Sequence, residues 1–346
     1  MNQRLPTVDA LRGIASLAVC WFHLNLNSAF IPNGVVRTVG DHGWLGVEVF
    51  FVVSGFVIPY SLYNGRYELR FFKIFVTKRI VRLDPPYLAS IVLMLVLGVL
   101  TLKLLNYRIE AFNTSSLGLL LHLGYLNVIA GYPWLNPVYW TLAIEFQYYL
   151  LIGLIYPLIA SPNRLYRYTT FVTLGVAAVL IKPEAFLPHW LLLFLLGIAT
   201  FNFIIKLIGR FEYLVIVTSL SAALFATALL PIAIAGIATA LVIAFVRINS
   251  RVLGFFGAIS YSLYLLHTAF GAKPLKLISM RTGHLYSVPL SVAIMMFFMV
   301  VCIVASYLFY RFIEKPSQQW SAKIRYRTSE AKRQAAFAAA SATSVP

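Results

Sequence analysis

The fold is decided by the first hydrophobic run, Val8-Asp-Ala-Leu-Arg-Gly-Ile-Ala-Ser-Leu-Ala-Val-Cys-Trp-Phe-His-Leu-Asn-Leu26. This run is long enough and apolar enough to span a bilayer, which takes about 20 residues of helix. It nevertheless contains ionisable side chains, and two of them, Arg12 and His23, lie well inside it. Such groups cost about 2.5–3.5 kcal/mol each at the centre of a membrane, so they are retained mainly where they are used.

Arg12 and His23 share one face of this predicted helix. Their separation of eleven residues completes roughly three turns and spans about 16 Å along the helix axis. In a purely structural interpretation, the arginine extends to the membrane surface and the histidine bonds to a neighbouring helix. The cost of placing charge inside a membrane favours a functional role instead.

The composition is that of a polytopic membrane protein. The chain has 346 residues, of which 60% are hydrophobic and 11% are charged, whereas soluble domains carry about 25% charged residues. No small-residue cleavage site follows the first residues, so a cleaved signal peptide is not expected. The two cysteines, Cys20 and Cys302, fall inside apolar runs and are expected to be buried thiols rather than a disulfide or metal site.

The hydrophobic runs predict an all-α fold with about ten transmembrane helices and both termini in the cytoplasm. The segment Phe112–Leu135 is broken by glycine and proline, so we expect a short helix or re-entrant element there. The predicted spans are Val8–Asn27, Trp44–Leu62, Pro85–Leu104, Tyr139–Ile159, Tyr168–Ile181, Leu187–Ile205, Tyr213–Leu230, Pro231–Phe245, Leu253–Ala272 and Leu285–Ile313.

The distribution of positive charge agrees with this topology. With the N-terminus inside, 21 of the 28 lysines and arginines lie on the cytoplasmic side and seven lie outside, as the positive-inside rule requires. The formal charge of +17 is therefore assigned to membrane topology and not to nucleic-acid binding. We expect a multi-pass protein of the inner, cytoplasmic membrane.

Two basic segments flank the predicted spans. Asn64–Arg82 mixes six cations with aromatic and aliphatic residues, which is typical of an amphipathic helix that contacts membrane lipids on the inner surface. Asp84-Pro85-Pro86 is expected to end that helix and to start the next span. The transmembrane domain is expected to cover residues 1–316, and residues 317–346 to form a basic, then Ala/Ser-rich cytoplasmic tail without fixed structure.

Four ionisable side chains are expected to meet in the outer half of the bundle, namely His23, Glu48, Glu145 and His267. Their positions within the predicted spans give them similar depths, and unpaired charge there is too costly. We therefore expect histidine and carboxylate side chains to pair across helices. A histidine held by a carboxylate can act as a general base, and a structural polar network is the alternative.

Other polar residues carry weaker signals. Ser260 and Tyr264 share the helix face of His267. Ser54 fits close helix packing as readily as use of its hydroxyl group, and it is not expected to be a site residue. The sequence contains no P-loop or dinucleotide fingerprint, no zinc-spaced Cys/His set and no Gly-x-Ser-x-Gly elbow. No metal site is expected, and any chemistry is assigned to side chains inside the membrane.

Segments along almost the whole chain resemble the integral-membrane acyltransferase family 3, whose members O-acylate carbohydrates. They are Val8-Asp-Ala-Leu-Arg-Gly-Ile-Ala15 with His23, Gly46-Val-Glu-Val-Phe-Phe-Val-Val-Ser-Gly-Phe56, Arg79-Ile-Val-Arg-Leu-Asp-Pro-Pro-Tyr87, Pro137-Val-Tyr-Trp-Thr-Leu-Ala-Ile-Glu-Phe-Gln-Tyr-Tyr149, Ile259-Ser-Tyr-Ser-Leu-Tyr-Leu-Leu-His267 and Arg311-Phe-Ile-Glu-Lys-Pro316. The resemblance implies that Arg12 and His23 are essential and that Glu145 is the family's acidic residue. The sequence departs from the family pattern at Thr141, where serine is usual, and at Glu48, where aspartate is common.

The resemblance implies an enzyme that moves an acyl group, with acetyl expected, from acyl-coenzyme A to a hydroxyl of a carbohydrate. The acceptor class includes cell-surface or exported polysaccharides and lipid-linked sugars. In the expected mechanism His23, oriented by a carboxylate, removes the proton of the sugar hydroxyl. The catalytic set is expected to be Arg12, His23, Glu48, Glu145 and His267, with the donor phosphates near Arg12, Lys78, Arg79 and Arg82.

Two alternatives stay open at this point. The acyl group could pass directly to the sugar or be held first on a side chain of the protein. A different class, a transporter or flippase for a lipid-linked sugar, would use the same buried charges as a proton relay. A requirement for acyl-coenzyme A separates the enzyme from the transporter.

Overall fold

The computed structural model describes residues 5–26, 34–105, 115–282 and 287–326. Within these ranges the chain is helical and contains no strand, which confirms the predicted all-α fold. The helices are α1 (Pro6–Asn25), α2 (Val35–Asp41), α3 (Gly46–Asn64), α4 (Phe72–Leu105), α5 (Ser116–His122), α6 (Trp140–Ile159), α7 (Arg164–Leu180), α8 (Leu187–Ile204), α9 (Arg210–Thr227), α10 (Leu230–Phe245), α11 (Arg251–His267), α12 (Lys273–Thr282), α13 (Val288–Phe309) and α14 (Lys315–Lys323).

Seven helical segments of the described chain are long and apolar enough to cross a membrane, so the chain is a multi-pass membrane protein. The three remaining predicted spans coincide with α1, α7 and α10. Of these, α10 is apolar but has 16 residues, α7 has 17 residues, and α1 carries Asp9 and Arg12. The seven segments are Val35–Asn64, Leu69–Leu104, Pro137–Ile159, Leu187–Ile204, Arg210–Thr227, Arg251–Met280 and Val288–Lys323.

The prediction that Asp84-Pro85-Pro86 separates a surface helix from a span is wrong. The helix α4 is continuous over 34 residues and contains both prolines. Proline removes a backbone N–H and frees a carbonyl group one turn earlier, but neighbouring helices in a membrane bundle can bond to freed backbone groups. The carbonyl groups freed by Pro85 and Pro86 are those of Val81 and Arg82. Beside them, the Tyr261 hydroxyl of α11 donates to the Leu83 carbonyl oxygen at 3.0 Å and joins the two helices. The basic residues before the prolines therefore form the first turns of a spanning helix.

Two other predicted segments are partly described. The helix α5 has seven residues and is followed by turns, which agrees with the short helix expected in Phe112–Leu135, of which residues 112–114 lie outside the described residues. At the C-terminal end, α14 packs against α4, and the Ser321 hydroxyl donates to the Lys78 carbonyl oxygen at 2.8 Å. The prediction of a tail without fixed structure from residue 317 onwards is therefore wrong for the residues within α14. Residues 327–346 lie outside the described residues, so for them it stays a prediction.

Glycines allow two helix pairs to approach closely. A Cβ atom at Gly257 of α11 would lie 2.2 Å from the Asp9 carbonyl oxygen of α1. A Cβ atom at Gly197 of α8 would lie 2.2 Å from the Val52 carbonyl oxygen of α3. Small residues at such contacts let membrane helices pack backbone to backbone. The pairs α1–α11 and α3–α8 are accordingly the most closely packed in the bundle.

One end of the bundle collects the basic residues of α4. The helices α3 and α8 finish together there, since the rings of Tyr63 and Phe201 lie 6.2 Å apart. Gly153, late in α6, contacts Phe72 at the start of α4. We call this end, where α3, α6 and α8 finish and α4 begins, the basic end.

Candidate active site

Three arginines converge on one cavity towards the basic end. This cavity of about 100 Å³ lies between α1, α3, α4, α6 and α11, and we call it the arginine pocket. Arg79 and Arg82 are three residues apart on α4, so they share a face of that helix, and Arg12 comes from α1. The polar residues lining the pocket are Arg12, Ser54, Arg79, Arg82, Thr141, Glu145, Tyr149, Ser260, Tyr261, Tyr264, Glu314 and Gln318.

Arg79 is the most enclosed of the three arginines. Its side chain is 8% exposed, and its guanidinium lies over the rings of Phe75 and Tyr149 at 5.3 Å and 5.4 Å. Cation–π contacts of this kind gain strength when water is excluded. The two aromatic rings therefore stabilise the Arg79 guanidinium inside the bundle, and its positive charge is not neutralised by them.

Two carboxylates share the pocket with the arginines, and both are held by hydroxyl groups. The Ser54 hydroxyl donates to Glu145 Oε1 at 2.8 Å. Glu314 Oε2 accepts hydrogen bonds from the backbone N–H and the hydroxyl of Ser262. Three arginines against two carboxylates leave one excess positive charge among the described lining residues, so the pocket is suited to an anionic ligand.

A second cavity connects the arginine pocket to the basic end. It has a volume of about 560 Å³ and shares Arg12, Arg82 and Gln318 with the arginine pocket. Arg251 and Asp9 also line it. We call it the Arg251 cavity. Arg12 and Arg82 therefore border a continuous route from the basic end into the bundle.

His23 and His267 form a pair near the C-terminal ends of α1 and α11. Their Nδ1 and Nε2 atoms, respectively, lie 3.2 Å apart. His267 is 1% exposed, and its Nδ1 lies 3.0 Å from the Leu263 carbonyl oxygen, while His23 Nδ1 lies 2.9 Å from the Val19 carbonyl oxygen. A carbonyl oxygen only accepts, so Nδ1 of each ring carries the proton. His23 then donates to His267, and the unprotonated Nε2 of His23 is left to act as a base.

Asn136 bonds to residues on both sides of His267. The helix α11 passes at His267 into a π-helical turn, Thr268–Ala272, a feature that often marks functional sites. The Asn136 amide donates to the Leu265 carbonyl oxygen at 3.2 Å and accepts from the Thr268 hydroxyl at 3.0 Å. One asparagine therefore bridges the residues on both sides of His267.

The segment that carries Asn136 is itself fixed by His122. The Nε2 atom of His122 accepts from the Leu135 backbone N–H at 3.0 Å, and its Nδ1 donates to the Gly118 carbonyl oxygen at 2.7 Å. Burial lowers the pKa of His122 below its usual value, against a smaller opposing effect of the Gly118 bond. A neutral imidazole is what the Leu135 bond requires, because a protonated Nε2 could not accept it.

Tyr264 separates the arginine pocket from the histidine pair. It lines the pocket, whereas neither histidine does. Its ring centroid lies 5.8 Å from that of His267, and its hydroxyl bonds to the Thr141 hydroxyl at 2.7 Å and to the Val138 carbonyl oxygen at 3.2 Å. The site therefore has two parts, the arginine pocket and the histidine pair, with one tyrosine between them; we call these two parts compartments.

The structure brings some of the predicted site residues together and leaves others apart. Arg12, Arg79, Arg82 and Glu145 meet in the arginine pocket. Lys78 does not line the pocket; its ammonium group lies over the Tyr326 ring at 5.5 Å.

Glu48 also lies outside the pocket. It is 2% exposed, and its Oε2 has no hydrogen-bond partner among the described residues. The expected histidine–carboxylate pair is not found in the described part of the chain, where His23 pairs with His267 and Glu145 pairs with Ser54.

The interpretation of Ser54 also needs correction. The close approach of α3 and α8 depends on the neighbouring Gly55 and on Gly197, while the Ser54 hydroxyl bonds to Glu145. Sequence reasoning also missed Glu314 and Asn136. Glu314 is an ionisable residue at the end of the last predicted span, and Asn136 directly precedes the family segment that begins at Pro137. The position of each next to these segments is the sequence signal that could have identified it.

Comparisons with known proteins were made for the whole chain. The family model described as "Acyltransferase domain" matches residues 5–311. Peptidoglycan O-acetyltransferase OatA of Listeria monocytogenes serovar 1/2a is 31% identical over 159 residues, which cover 42% of this chain and 23% of OatA. YrhL of Bacillus subtilis (strain 168) is 33% identical over 160 residues, or 43% of this chain and 23% of YrhL.

The extent of these matches differs. The chain spans about a quarter of the length of the curated relatives it matches, and no solved structure matches it. The family model, in contrast, begins before α1 and ends after α13, so it includes every residue that lines the arginine pocket except Glu314 and Gln318. This coverage confirms the resemblance that the sequence motifs indicated, and the chain belongs to the integral-membrane acyltransferase family 3.

Proposed function

We propose that this protein is a membrane O-acetyltransferase that moves the acetyl group of acetyl-coenzyme A to a hydroxyl of a carbohydrate. The observation that carries the proposal is the convergence of Arg12, Arg79 and Arg82 on one buried pocket that is reached from the basic end. Membership of the acyltransferase family and the name of OatA support acetyl transfer. No observation favours the transporter.

We propose that the chain crosses the inner membrane of the cell ten times and that both termini lie in the cytoplasm. The helices α1, α7 and α10 add three crossings to the seven apolar segments. The excess of lysine and arginine on the side of the basic end supports this orientation. The basic end then faces the compartment that contains acetyl-coenzyme A.

The donor phosphates are proposed to bind Arg82 and Arg12 at the junction of the Arg251 cavity and the arginine pocket. Guanidinium groups bind phosphate through paired hydrogen bonds. Arg79, held against two aromatic rings, adds positive charge deeper in the pocket. The pantetheine arm then directs the thioester away from the basic end, towards Tyr264 and the histidine pair.

His23 is proposed to accept the proton of the acceptor hydroxyl on Nε2. The hydroxyl oxygen forms a bond to the thioester carbonyl carbon, the carbon–sulfur bond breaks, and the thiolate leaves with the electron pair. The proton held by His23 passes to the thiolate, so the products are the acetyl ester and free coenzyme A. Transfer through an acetylated side chain gives the same products. Because Tyr264 stands between the two compartments, its side chain has to move during turnover.

The proposed function is tested with full-length protein in liposomes and acetyl-coenzyme A labelled on the acetyl group. Peptidoglycan fragments are the first acceptor to test, because OatA is named for that substrate. We expect free thiol to appear in equal amount with an ester-linked label on the acceptor that mild base removes. Absence of thiol release with every short acyl-coenzyme A and every acceptor would refute the proposal.

Asn136 offers a test of the histidine pair that does not alter either ring. The Asn136→Ala variant frees the Leu265 carbonyl group and the Thr268 hydroxyl, so His267 loses its fixed position. We expect kcat to fall about ten-fold, equivalent to 1.4 kcal/mol, with an unchanged KM for acetyl-coenzyme A because Asn136 does not line the arginine pocket. Steady-state kinetics in liposomes measures both.

The matched control for this variant is Asn127→Ala. Asn127 is buried in the same segment, donates to the carbonyl oxygens of Gly118 and Pro133 and lies against His122, and none of these hydrogen bonds reaches α11. An equal loss of kcat in both variants would mean that the whole segment is disrupted and that Asn136 has no specific positioning role.

A further inference from the structure

A long apolar groove runs along the outside of the bundle, away from the arginine pocket. It lies between α7 and α9 with Leu192 of α8 in its wall, and its volume is about 640 Å³. On α7 it extends from Tyr168 to Leu180, which corresponds to about 18 Å of helix. One leaflet of a bilayer core is about 15 Å thick. We call this feature the α7–α9 groove.

Cations gather at one end of this groove. A cavity of about 530 Å³, distinct from the Arg251 cavity, is lined at this end by Arg164, Lys206, Arg210 and Glu212. The hydroxyl of Tyr168, which lines the groove, bonds to Glu212, which lines this cavity, so the groove and the cavity adjoin. This cavity and the Tyr168 end of the groove lie where α8 ends and α7 and α9 begin, which is the basic end of the bundle.

The carboxylate in this cluster is already engaged. Glu212 accepts hydrogen bonds from the Tyr168 hydroxyl and from the Arg167 guanidinium at 3.4 Å. Arg167 is 2% exposed and also donates to the carbonyl oxygens of Ser161 and Pro162. Arg167 and Glu212 therefore form an internal pair that ties α7 to α9.

The remaining cations face the solvent. Arg164, Lys206 and Arg210 are exposed, and no carboxylate lies within ion-pair distance of them in the described part of the chain. Arg210 does contact an aromatic ring, that of Phe245, at 5.7 Å. With the Arg167–Glu212 pair neutral, the cluster has three excess positive charges beside the mouth of an apolar groove.

We propose that the α7–α9 groove and this cluster bind one anionic glycerophospholipid. The acyl chains lie in the groove, and the phosphate contacts Arg164, Lys206 and Arg210. The groove matches the length of a chain within one leaflet. Three excess positive charges lie at the end where a headgroup of that leaflet would lie, whereas at the other end Lys182 is accompanied by the carboxylate residue Glu184. The site is separate from the arginine pocket, so this proposal does not depend on the proposed function.

The test is a lipid titration of the full-length protein in neutral detergent, with bound lipid counted by native mass spectrometry. The probes are dioleoyl phosphatidylglycerol, dioleoyl phosphatidylcholine and glycerol 3-phosphate. We expect the first to bind about ten-fold more tightly than the second, since each cation near an anionic headgroup contributes favourably. Glycerol 3-phosphate, which has no chains to place in the groove, is expected not to bind.

Two variants separate charge from chain binding. The triple variant Arg164→Gln, Lys206→Gln, Arg210→Gln should bind the two lipids equally. In Gly175→Leu the added side chain enters the groove, because no atom lies within 4 Å of a Cβ at position 175, and it should weaken both lipids. The matched control Arg311→Gln, Lys323→Gln, Arg325→Gln removes three exposed charges elsewhere and should change neither affinity. Thermal melting of each variant confirms that it is folded.

Three results would overturn the proposal. They are equal binding of the two lipids to the wild type, retention of the preference in the folded cluster variant, and binding of glycerol 3-phosphate as tightly as phosphatidylglycerol. A preference that the control variant abolishes equally would also count against the site, because it would reflect the total charge of the protein.

Discussion

Replacing His23 by alanine is expected to lower kcat for acetyl transfer about 10³-fold, within the range that a general base supplies. The reason is the tautomer fixed by the histidine pair. His23 Nδ1 is engaged by the Val19 carbonyl oxygen and by His267, so only Nε2 is available to accept a proton. The KM for acetyl-coenzyme A should remain unchanged, because His23 does not line the arginine pocket. Thiol release in liposomes measures both constants.

The chain offers a matched control in His42. This histidine makes the same kind of bond to a carbonyl group one turn earlier, with Nδ1 at 2.8 Å from the Thr38 carbonyl oxygen, but it is exposed. His42→Ala is expected to leave kcat unchanged. A comparable loss in both variants would point to damage of the helices rather than to loss of a base.

His23→Asn separates the two ring nitrogens. The amide nitrogen of asparagine can replace Nδ1 as a donor to His267, while nothing replaces Nε2. This variant should melt close to the wild-type temperature and yet be as inactive as His23→Ala. If either variant retains activity, its rate should no longer fall at acidic pH, because that fall in the wild type reports protonation of the base. Activity of His23→Ala within ten-fold of wild type would remove His23 from the chemistry.

The position of each charged side chain in a helix could be predicted from the sequence, because hydrophobic periodicity is a local property. Arg79 and Arg82 are three residues apart, so any helix places them on one face. Arg12 and His23 lie on one helix as predicted, but the structure assigns them to different compartments. Their common helix face could not reveal this, because the wall between the compartments is Tyr264, a residue more than 200 positions away in the chain.

The partner of His23 is a second case in which the sequence could not decide. The cost of burying an unpaired charge requires some partner for an ionisable group in a membrane, and the carboxylates of Glu48 and Glu145 were the expected ones. Two neutral imidazoles satisfy the same requirement without burying any charge, as His23 and His267 do. Glu145 instead accepts a hydroxyl bond from Ser54. Pairings of this kind depend on how helices are arranged, which local patterns do not specify.

Arg82 is the position at which the largest loss of donor affinity is expected. It lies where the Arg251 cavity joins the arginine pocket, so a donor that enters from the basic end has to pass it. Arg82→Gln should lower kcat/KM for acetyl-coenzyme A about 10- to 100-fold, since a hydrogen bond to a charged group is worth about 1.5–3 kcal/mol. Most of this loss should lie in KM, because the thioester reacts at the other end of the site.

A truncated donor distinguishes phosphate binding from a general effect on the pocket. S-acetylpantetheine has the thioester and the pantetheine arm but none of the phosphates. Wild type should use it poorly, and Arg82→Gln should use it as well as wild type does. The two changes are then not additive, which is the signature of two groups in direct contact.

The control for charge is Lys73→Gln on the same helix. Lys73 is exposed and nine residues from Arg82, so it lies on the opposite face of α4 and outside both cavities. Removing its charge should change neither donor constant. If Arg82→Gln weakens S-acetylpantetheine as much as acetyl-coenzyme A, the arginine shapes the pocket and the phosphates bind elsewhere. If only the phosphate-bearing donor is affected, then the buried Arg79 and the half-buried Arg82 on one membrane helix have a direct physical explanation, because the ligand supplies the negative charge that the protein lacks.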